Sequence, residues 1–349
     1  MSNIVFGFCL PIFAWPGAGL FRTPAWATLD AQRCIQLGVL AERLGYGSLW
    51  VADHLMLGAD EAILEGWTTL AALAGMSQAQ GGRAKLGIIH YNHVFRHPAF
   101  TAKMVSTLDQ ISNGRMIHFV DFGNNSREYL AYGMYHDDAS EQARRHRIAQ
   151  MIEGLDLTLA LWQSDEPVTF KGQHYSTHNA VCTPKPVQEK IPIWMGEVWP
   201  GIVEATVKYA DGWNTVPVPM PELRRRLAML QAECDKQGRD IATLEKTLEI
   251  QVLIAPTLAG LREKLRGMLA LVPEGQTITE QLQAFVSGDT DELPDEMKHS
   301  WWAGTPEQVI ARVRECVGLG FTHFMLWFVD APDDSGLRLF AERVMPRFA

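Results

Sequence analysis

The sequence predicts a protein of the α/β class, a (β/α)8 TIM barrel with insertion segments. Eight short apolar runs alternate with helix-like segments along the 349 residues. The runs are apolar throughout, which is typical of strands buried on both faces of a parallel sheet. No GxGxxG motif follows the first run, so an open dinucleotide-binding sheet is disfavoured. We predict a single domain over residues 1–349, with insertions near 165–190 and 257–303.

The predicted strands are short and end in polar or glycine-containing loops. A loop over 11–26, rich in glycine, proline and aromatic residues, follows the first strand, and we expect it to shape a pocket. The last strand follows a helix that opens with Thr305 and Pro306, a typical helix start. The eight predicted strands are Ile4–Leu10, Ser48–Val51, Lys85–Tyr91, Arg115–Val120, Ile191–Met195, Gly212–Asn214, Lys246–Ala255 and Phe321–Phe328.

Helices are predicted between these strands from their caps. Thr28 or Asp30 can cap the first helix, which runs to Leu44 and is followed by Gly45. Pro98 suits the first turn of a helix that runs to residue 112. Further helices are expected over 67–79, 140–162, 201–210, 221–238, 305–318 and 335–344. Residues 257–300 are expected to be less regular.

Composition excludes several classes of protein. The net charge is -9 and the pI ≈ 5.7, so we expect no binding to nucleic acid or to anionic membranes. No run approaches the ~18 apolar residues of a membrane span, and the N-terminus lacks the basic region of a signal peptide. The five cysteines are scattered, as expected of reduced thiols in a cytoplasmic protein.

Polar residues follow three predicted strands at their carboxyl ends, where parallel α/β proteins place their chemistry. Asp53 and His54 follow the second strand, and an imidazole has a pKa suited to proton transfer. The same pair could instead bond loop backbone and close the barrel end. Asn92 and His93 after the third strand, and Asp121 after the fourth, likewise fit either a site lining or structural capping and ion pairing.

His90, His93 and His97 have a spacing that superficially suits metal ligands. Strand and loop geometry does not place all three on one face, and no Glu or Cys completes the set. No metal site is therefore predicted. His97 precedes Pro98 and is expected at the start of a helix.

Several segments, in order along the chain, resemble the bacterial luciferase-like monooxygenase family, whose members are (β/α)8 barrels with insertions. The stretches TLDQISNGR at 107–115 and YADGWN at 209–214 are the most specific. The other segments are GYGSLWVADH at 45–54, HP at 97–98, EYLAYG at 128–133, PKPVQ at 184–188 and PIWMG at 192–196.

The resemblance implies that reduced FMN, or alternatively the deazaflavin coenzyme F420, binds at the carboxyl ends of the strands. His54, with Asp53, would be catalytic and would lie near the reactive edge of the ring. The segment 196–199 would receive the phosphate, since the start of a helix offers unpaired amide groups to an anion. Trp194 has core packing as its alternative. The residues implied to bind the cofactor are Tyr91, Asn92, His93, Asp121, Phe122, Trp194, Gly196, Glu197, Val198 and Trp199.

We therefore favour a monooxygenase that uses reduced FMN and oxygen on a small apolar organic substrate. A separate reductase would supply the reduced flavin, because no nicotinamide-binding domain is visible in the sequence. The first alternative is an F420-dependent oxidoreductase that transfers hydride without oxygen. The second is a flavin-binding relative without catalysis. The resemblance also implies a homodimer.

The chain departs from the deazaflavin-dependent sugar-phosphate dehydrogenases of this family. Those enzymes carry a Trp shortly after the His and a Glu at the exit of the fourth strand. Here residues 55–58 read LMLG and residues 123–125 read GNN. That specific activity is therefore not expected.

Overall fold

A computed structural model describes residues 4–13, 29–123, 125–134, 140–272 and 278–349. Most of the predicted pocket loop over 11–26 lies outside these residues, as does Thr28. Among the helices that are described, none is both long enough and apolar enough to cross a membrane.

The strands close into the predicted (β/α)8 barrel. Eight of them follow the cyclic order β1-β2-β3-β5-β6-β7-β8-β10, and every pairing around the ring is parallel. The short β4 extends the edge beside β5, and β9 pairs with the carboxyl half of β8 outside the ring. The strands are β1 Val5–Cys9, β2 Ser48–Val51, β3 Lys85–Ile88, β4 Tyr91–Asn92, β5 Met116–Asp121, β6 Ile193–Gly196, β7 Gly212–Thr215, β8 Glu245–Ile254, β9 Trp301–Gly304 and β10 His323–Phe328.

The inside of the barrel is filled by large aromatic side chains. The rings of Trp50 and Trp194 stack with centroids 5.1 Å apart, and both side chains are fully buried. Neighbouring strands make room for them: a Cβ at Gly87 would lie 2.2 Å from Trp50, and one at Gly212 would lie 2.6 Å from Trp194. The barrel is therefore a packed core at this level and not a channel.

A chain of hydrogen bonds crosses the amino-terminal end of the barrel. The Trp50 Nε1–H donates to Ser48 Oγ at 2.7 Å, and Ser48 Oγ lies 2.7 Å from His323 Nε2. His323 Nδ1 lies 3.0 Å from Glu245 Oε1. These groups join β2, β10 and β8 at their first residues, so the chain ties three strands together.

Helices surround the barrel, and most begin where their caps predict. The Asp30 side chain accepts from the first-turn amides of α1, and Thr305 with Gln308 forms a capping box at α11. Gly238 ends α7 in the left-handed conformation at φ 71°. The helices are α1 Ala31–Arg43, α2 Gly66–Ala79, α3 Pro98–Ser112, α4 Ser126–Ala131, α5 Glu141–Gln163, α6 Ile202–Tyr209, α7 Met220–Gln237, α8 Leu258–Leu269, α9 Glu280–Ser287, α10 Asp295–Ser300, α11 Pro306–Gly318 and α12 Ser335–Arg343.

Residues 257–300 are more regular than predicted. They hold α8, α9 and α10 and lead into β9, and these elements share a second small core with Leu253, Phe285 and Trp301. Two of the three helices, α9 and α10, have only eight and six residues, and they bury their apolar faces only together with their neighbours. Residues 165–190 contain, as expected, only isolated bridges such as Val168 with Ala180.

Candidate functional site

A cavity of about 390 Å³ opens at the carboxyl ends of the barrel strands. This volume is within the range of small-molecule and cofactor pockets, roughly 300–1,000 Å³. Five of the predicted catalytic or binding residues line it, and apolar groups complete its walls. The lining residues are Phe13, Ala52, Asp53, His54, Leu57, Ile89, His90, Asn92, Asp121, Gly123, Glu197, Val216, Glu249 and Trp327.

His54 is held in a fixed orientation by a buried carboxylate. Its Nδ1 lies 2.7 Å from Glu128 Oε1, and the Leu55 amide donates to Glu128 Oε2 at 2.8 Å. Asn125 also donates to Glu128, whose side chain is completely buried on α4. Because a carboxylate accepts hydrogen bonds, Nδ1 carries the proton and Nε2 has a free lone pair in the neutral ring.

The surroundings of His54 favour its protonated form. Burial lowers the pKa of His54, but the hydrogen bond and charge of Glu128, with the charges of Asp53 and Asp121, raise it above 6.5 overall. The side chain is 30% exposed, so one part of the ring faces the cavity. The arrangement can take up a proton there and hold the resulting charge next to a carboxylate.

Asp53 faces the cavity edge, but its oxygens are already occupied. Arg96 donates to both of them, at 2.8 Å and 3.0 Å, and the Asn92 amide donates to Oδ2 at 2.9 Å. A further nitrogen–oxygen contact of 2.9 Å links Arg96 to Glu65. Asp53 is thus placed to fix the loop after β3, and a catalytic role for it stays a prediction.

Asn92 and Asp121 are fixed by short-range hydrogen bonds. The Asn92 side chain donates to the Tyr129 hydroxyl at 3.1 Å and accepts from the Val94 amide. Asp121 Oδ1 accepts from the Gly123 amide at 2.6 Å. Asn92 lines the cavity from the end of β4, and Asp121 lines it from the end of β5.

Glu197, Glu249 and His90 form one wall of the cavity. His90 Nε2 lies 3.6 Å from Glu249 Oε2, and the Trp327 indole donates to Glu249 Oε1 at 2.6 Å. Glu197 sits in the left-handed region at φ 76°, an uncommon conformation for a residue with a side chain. Burial raises the pKa of Glu197; His90 and Arg226 oppose this, and Asp121 and Glu249 add to it.

Four predicted cofactor contacts lie elsewhere. The Tyr91 hydroxyl forms a hydrogen bond of 2.6 Å with Thr101 Oγ1 of α3, and Trp194 packs inside the barrel. Phe122 is 2% exposed, and its side chain does not line the cavity. His93 faces α5, and burial lowers its pKa to about 3. Tyr91 and Trp194 follow the alternation of their strands away from the cavity, whereas His93 and Phe122 lie just after a strand end and turn into the protein.

The segment after β6 reaches the surface beside the cavity. Gly196 ends β6, Val198 packs on the core, and Trp199 is 39% exposed. The Arg144 guanidinium lies 4.0 Å above the Trp199 ring. Helix α6 follows, with Gly201 at its N-cap and no side chain capping its amides.

Sequence reasoning missed four residues that build the site. Glu128 and Arg96 hold His54 and Asp53, and Glu249 and Trp327 form the far wall. A charged residue inside an apolar run was the available signal for Glu249 in β8. For Glu128 the available signal was the family-like segment EYLAYG at 128–133, which begins with this residue, although α4 itself was not predicted.

The family model described as luciferase-like monooxygenase matches residues 5–323. The chain belongs to this family. It is an oxidoreductase, since the family model is that of a monooxygenase and the relatives that it matches include dehydrogenases. The resemblance inferred from its motifs is therefore confirmed.

The chain matches several family members over most of its length. It is 27% identical to the F420-dependent glucose-6-phosphate dehydrogenase of Microbacterium testaceum, covering 90% of this chain and 92% of that one. It is 29% identical to the enzyme of the same name from Beutenbergia cavernae, covering 88% and 91%. An F420-dependent secondary alcohol dehydrogenase, solved with an F420-acetone adduct, superposes with a TM-score of 0.73 at 20% identity, covering 99% of each chain.

These comparisons correct the leading interpretation of the sequence. The interpretation as an FMN-dependent monooxygenase is wrong, because relatives that match 88–90% of the chain are named F420-dependent glucose-6-phosphate dehydrogenases. They favour the alternative of hydride transfer with F420. The departures at 55–58 and 123–125 did not exclude this alternative, since they concern only the sugar-phosphate enzymes.

Proposed function

We propose that the protein is an F420-dependent oxidoreductase that oxidises a hydroxyl-bearing substrate to a carbonyl compound, or catalyses the reverse reaction. The observation that carries this proposal is the His54–Glu128 pair at the cavity, with Nδ1 bonded to Glu128 and Nε2 left as a proton acceptor. A hydroxyl group loses a proton as it is oxidised, and this pair is built to take it.

The residues present fit a deazaflavin cofactor. A planar ring needs a cavity with apolar walls, and Leu57, Ile89 and Val216 provide such walls around a volume of about 390 Å³. Asn92 and His90 bring polar groups to the rim of this space, where they can contact the heteroatoms of a ring. These features support the ring site at the carboxyl ends of the strands.

The anionic side chain of the cofactor would lie at the start of α6. The dipole at the start of α6 favours an anion there, while the Ile202 and Val203 amides already donate to the Trp199 carbonyl at 3.0 Å and 3.2 Å. Arg144, stacked on Trp199, adds positive charge beside this helix start. We therefore propose the segment 196–199, to which the resemblance gave this role, as the site of the phosphate.

F420, when bound, supplies the two-electron acceptor that takes a hydride from the substrate carbon. The residues of this chain would manage the proton. His54 Nε2 accepts the hydroxyl proton, and Glu128 stabilises the imidazolium that results. Leu55 and Asn125 hold Glu128 in place, so the ring keeps its orientation while its charge changes.

The test is a titration of the purified protein with F420 and with FMN, followed by fluorescence, together with an anaerobic assay of F420 reduction over a panel of alcohols. Tight binding of F420 and anaerobic turnover are expected. Binding of FMN alone, or turnover only with oxygen, would refute the proposal. His54→Ala should bind F420 normally and lose turnover.

A further inference from the structure

Resting on the proposed function, we propose that His90 is a second catalytic residue of the cavity. Its Nδ1–H donates a hydrogen bond to the ring of F420 and stabilises the negative charge that this ring gains with the hydride. His54 takes the proton of the substrate, whereas His90 acts on the charge of the cofactor. The two imidazoles among the described residues of the cavity lining therefore have separate tasks.

The side chain of His90 crosses the mouth of the barrel. His90 follows β3, and β8 lies opposite β3 in the cyclic strand order. Its Nε2 lies 3.6 Å from Oε2 of Glu249 on β8 and 3.5 Å from Nδ2 of Asn214 on β7. Its ring also packs edge-on against Phe119 of β5, with centroids 4.5 Å apart. A planar ring that fills the cavity therefore lies next to this imidazole.

The partners of Nε2 decide which nitrogen of His90 carries the proton. The Thr247 hydroxyl donates to Asn214 Oδ1 at 2.8 Å, which turns the amide nitrogen of Asn214 toward His90 Nε2. An amide nitrogen only donates, so Nε2 accepts in the neutral imidazole and Nδ1 carries the proton. His90 thus offers a donor, whereas the free nitrogen of His54 is an acceptor.

Nδ1 is the atom of His90 that is open to the cavity. Within the described part of the chain no group bonds this nitrogen, and it is not buried. The His90 side chain is 24% exposed and belongs to the cavity lining. The N–H at Nδ1 is therefore available to an acceptor atom of a bound ring.

Glu249 allows His90 to become positively charged. A second proton on Nε2 would lie toward Oε2 of Glu249, and the other oxygen of this carboxylate accepts from the Trp327 indole at 2.6 Å. Because the indole is neutral, it holds the carboxylate in place without cancelling its charge. The pair can therefore carry a positive charge beside the ring when the ring becomes negative.

Hydride transfer creates a charge that such a donor stabilises. An alcohol that becomes a carbonyl compound loses a hydride from carbon and a proton from oxygen. The proton goes to His54 Nε2, and the hydride carries both electrons to the ring of F420, which gains one negative charge. Hydrogen bonds and charges near the ring of a cofactor tune how readily it accepts electrons. A donor at His90 therefore favours the reduced ring over the oxidised ring.

The test compares the affinities of oxidised and reduced F420, without substrate and without oxygen. Quenching of tryptophan fluorescence measures both dissociation constants in the unchanged protein and in His90→Phe, which keeps an aromatic ring beside Phe119 and loses the donor. Binding of reduced F420 should weaken relative to oxidised F420 by about tenfold or more, since hydrogen bonds to charged groups are the strong ones. A tenfold change equals about 30 mV in the two-electron potential of the bound cofactor.

Two matched variants assign the effect to the donor. His90→Gln keeps an N–H donor at this position and should retain part of the preference for reduced F420. His54→Phe makes the same exchange at the other imidazole, and it should leave the ratio of the two dissociation constants unchanged although turnover is lost. A merely structural role of His90 would change both constants by the same factor.

Glu249→Gln tests the charge that supports His90. In the His90→Phe background this change should favour reduced F420, because a negative charge near the ring is removed. With His90 present the gain should be smaller or reversed, because the imidazole loses its counter-charge. Glu315→Gln makes the same charge change at an exposed residue of α11 and should have no effect in either background. Equal effects of Glu249→Gln in both backgrounds would overturn its role.

The outcomes separate this proposal from the function on which it rests. An unchanged ratio of dissociation constants in a folded His90→Phe protein overturns the role of His90, as does an equal loss of affinity for both forms. Circular dichroism checks the fold, and the smaller His90→Leu, with the same expected result, replaces a His90→Phe protein that does not fold. Failure of the unchanged protein to bind either form of F420 refutes the proposed function instead.

Discussion

His54 and Glu128 are joined by a 2.7 Å contact between Nδ1 and Oε1, although 74 residues separate them in the chain. His54 follows a barrel strand, and Glu128 belongs to a six-residue helix in the loop after β5. The contact fixes the tautomer of the imidazole and places a negative charge beside it. The charge and orientation of His54 therefore depend on Glu128, a residue that does not itself line the cavity.

Replacing His54 should abolish most of the activity without unfolding the protein. His54→Ala removes the proton acceptor, and loss of a general base typically lowers turnover by roughly 10²–10⁴. Steady-state F420 reduction measures this effect, and F420 binding should persist. His178→Ala, at an exposed position within residues 165–190, is the matched control. Turnover within twofold of the unchanged protein would exclude His54 as the base.

Replacing Glu128 should move the pH profile. His54 must be neutral to accept a proton, so alcohol oxidation should rise with pH through the pKa of His54, which lies above 6.5. Glu128→Gln removes the charge that raises this pKa, and the midpoint should therefore shift to lower pH. The profile of kcat/KM measures the shift. A midpoint that stays fixed or moves upward would contradict the electrostatic role of Glu128.

Removing only one partner of the Asp53–Arg96 ion pair should destabilise the folded protein. Arg96→Met leaves a buried carboxylate without its cation and should lower the free energy of unfolding by about 3–5 kcal/mol. Asp53→Asn in the same chain should recover part of that loss, because the charge is then absent. Urea unfolding of both single variants and the double variant measures the coupling. Simple additivity of the two changes would show that the pair is not coupled.

Replacing Ser48 should reduce stability and spare the chemistry. Ser48→Ala deprives both Trp50 Nε1 and His323 Nε2 of a partner in the barrel interior, and should cost about 1–3 kcal/mol of unfolding free energy. Ser287→Ala, on the exposed end of α9, should cost much less. F420 reduction by the folded Ser48 variant should be unchanged. Equal stability of the two variants would argue against the chain of bonds across the barrel.

The sequence by itself determined the barrel and the position of its chemistry. Each of the eight strands is an apolar run whose pattern is local, so each could be located without knowing its neighbours. Parallel strands bring their carboxyl ends to one edge, so His54 and Asp121 were expected near one another. The caps at Asp30 and Thr305 are local signals of the same kind.

The tertiary structure alone decided which side chains meet. Whether Trp194 fills the barrel or lines the cavity depends on its level along the strand and on the glycine facing it in β7. The contacts of Glu128 with His54 and of Trp327 with Glu249 join residues 74 and 78 positions apart. Such contacts depend on strand register and on loop paths, which are set by packing over the whole barrel and leave no periodic signal in the sequence.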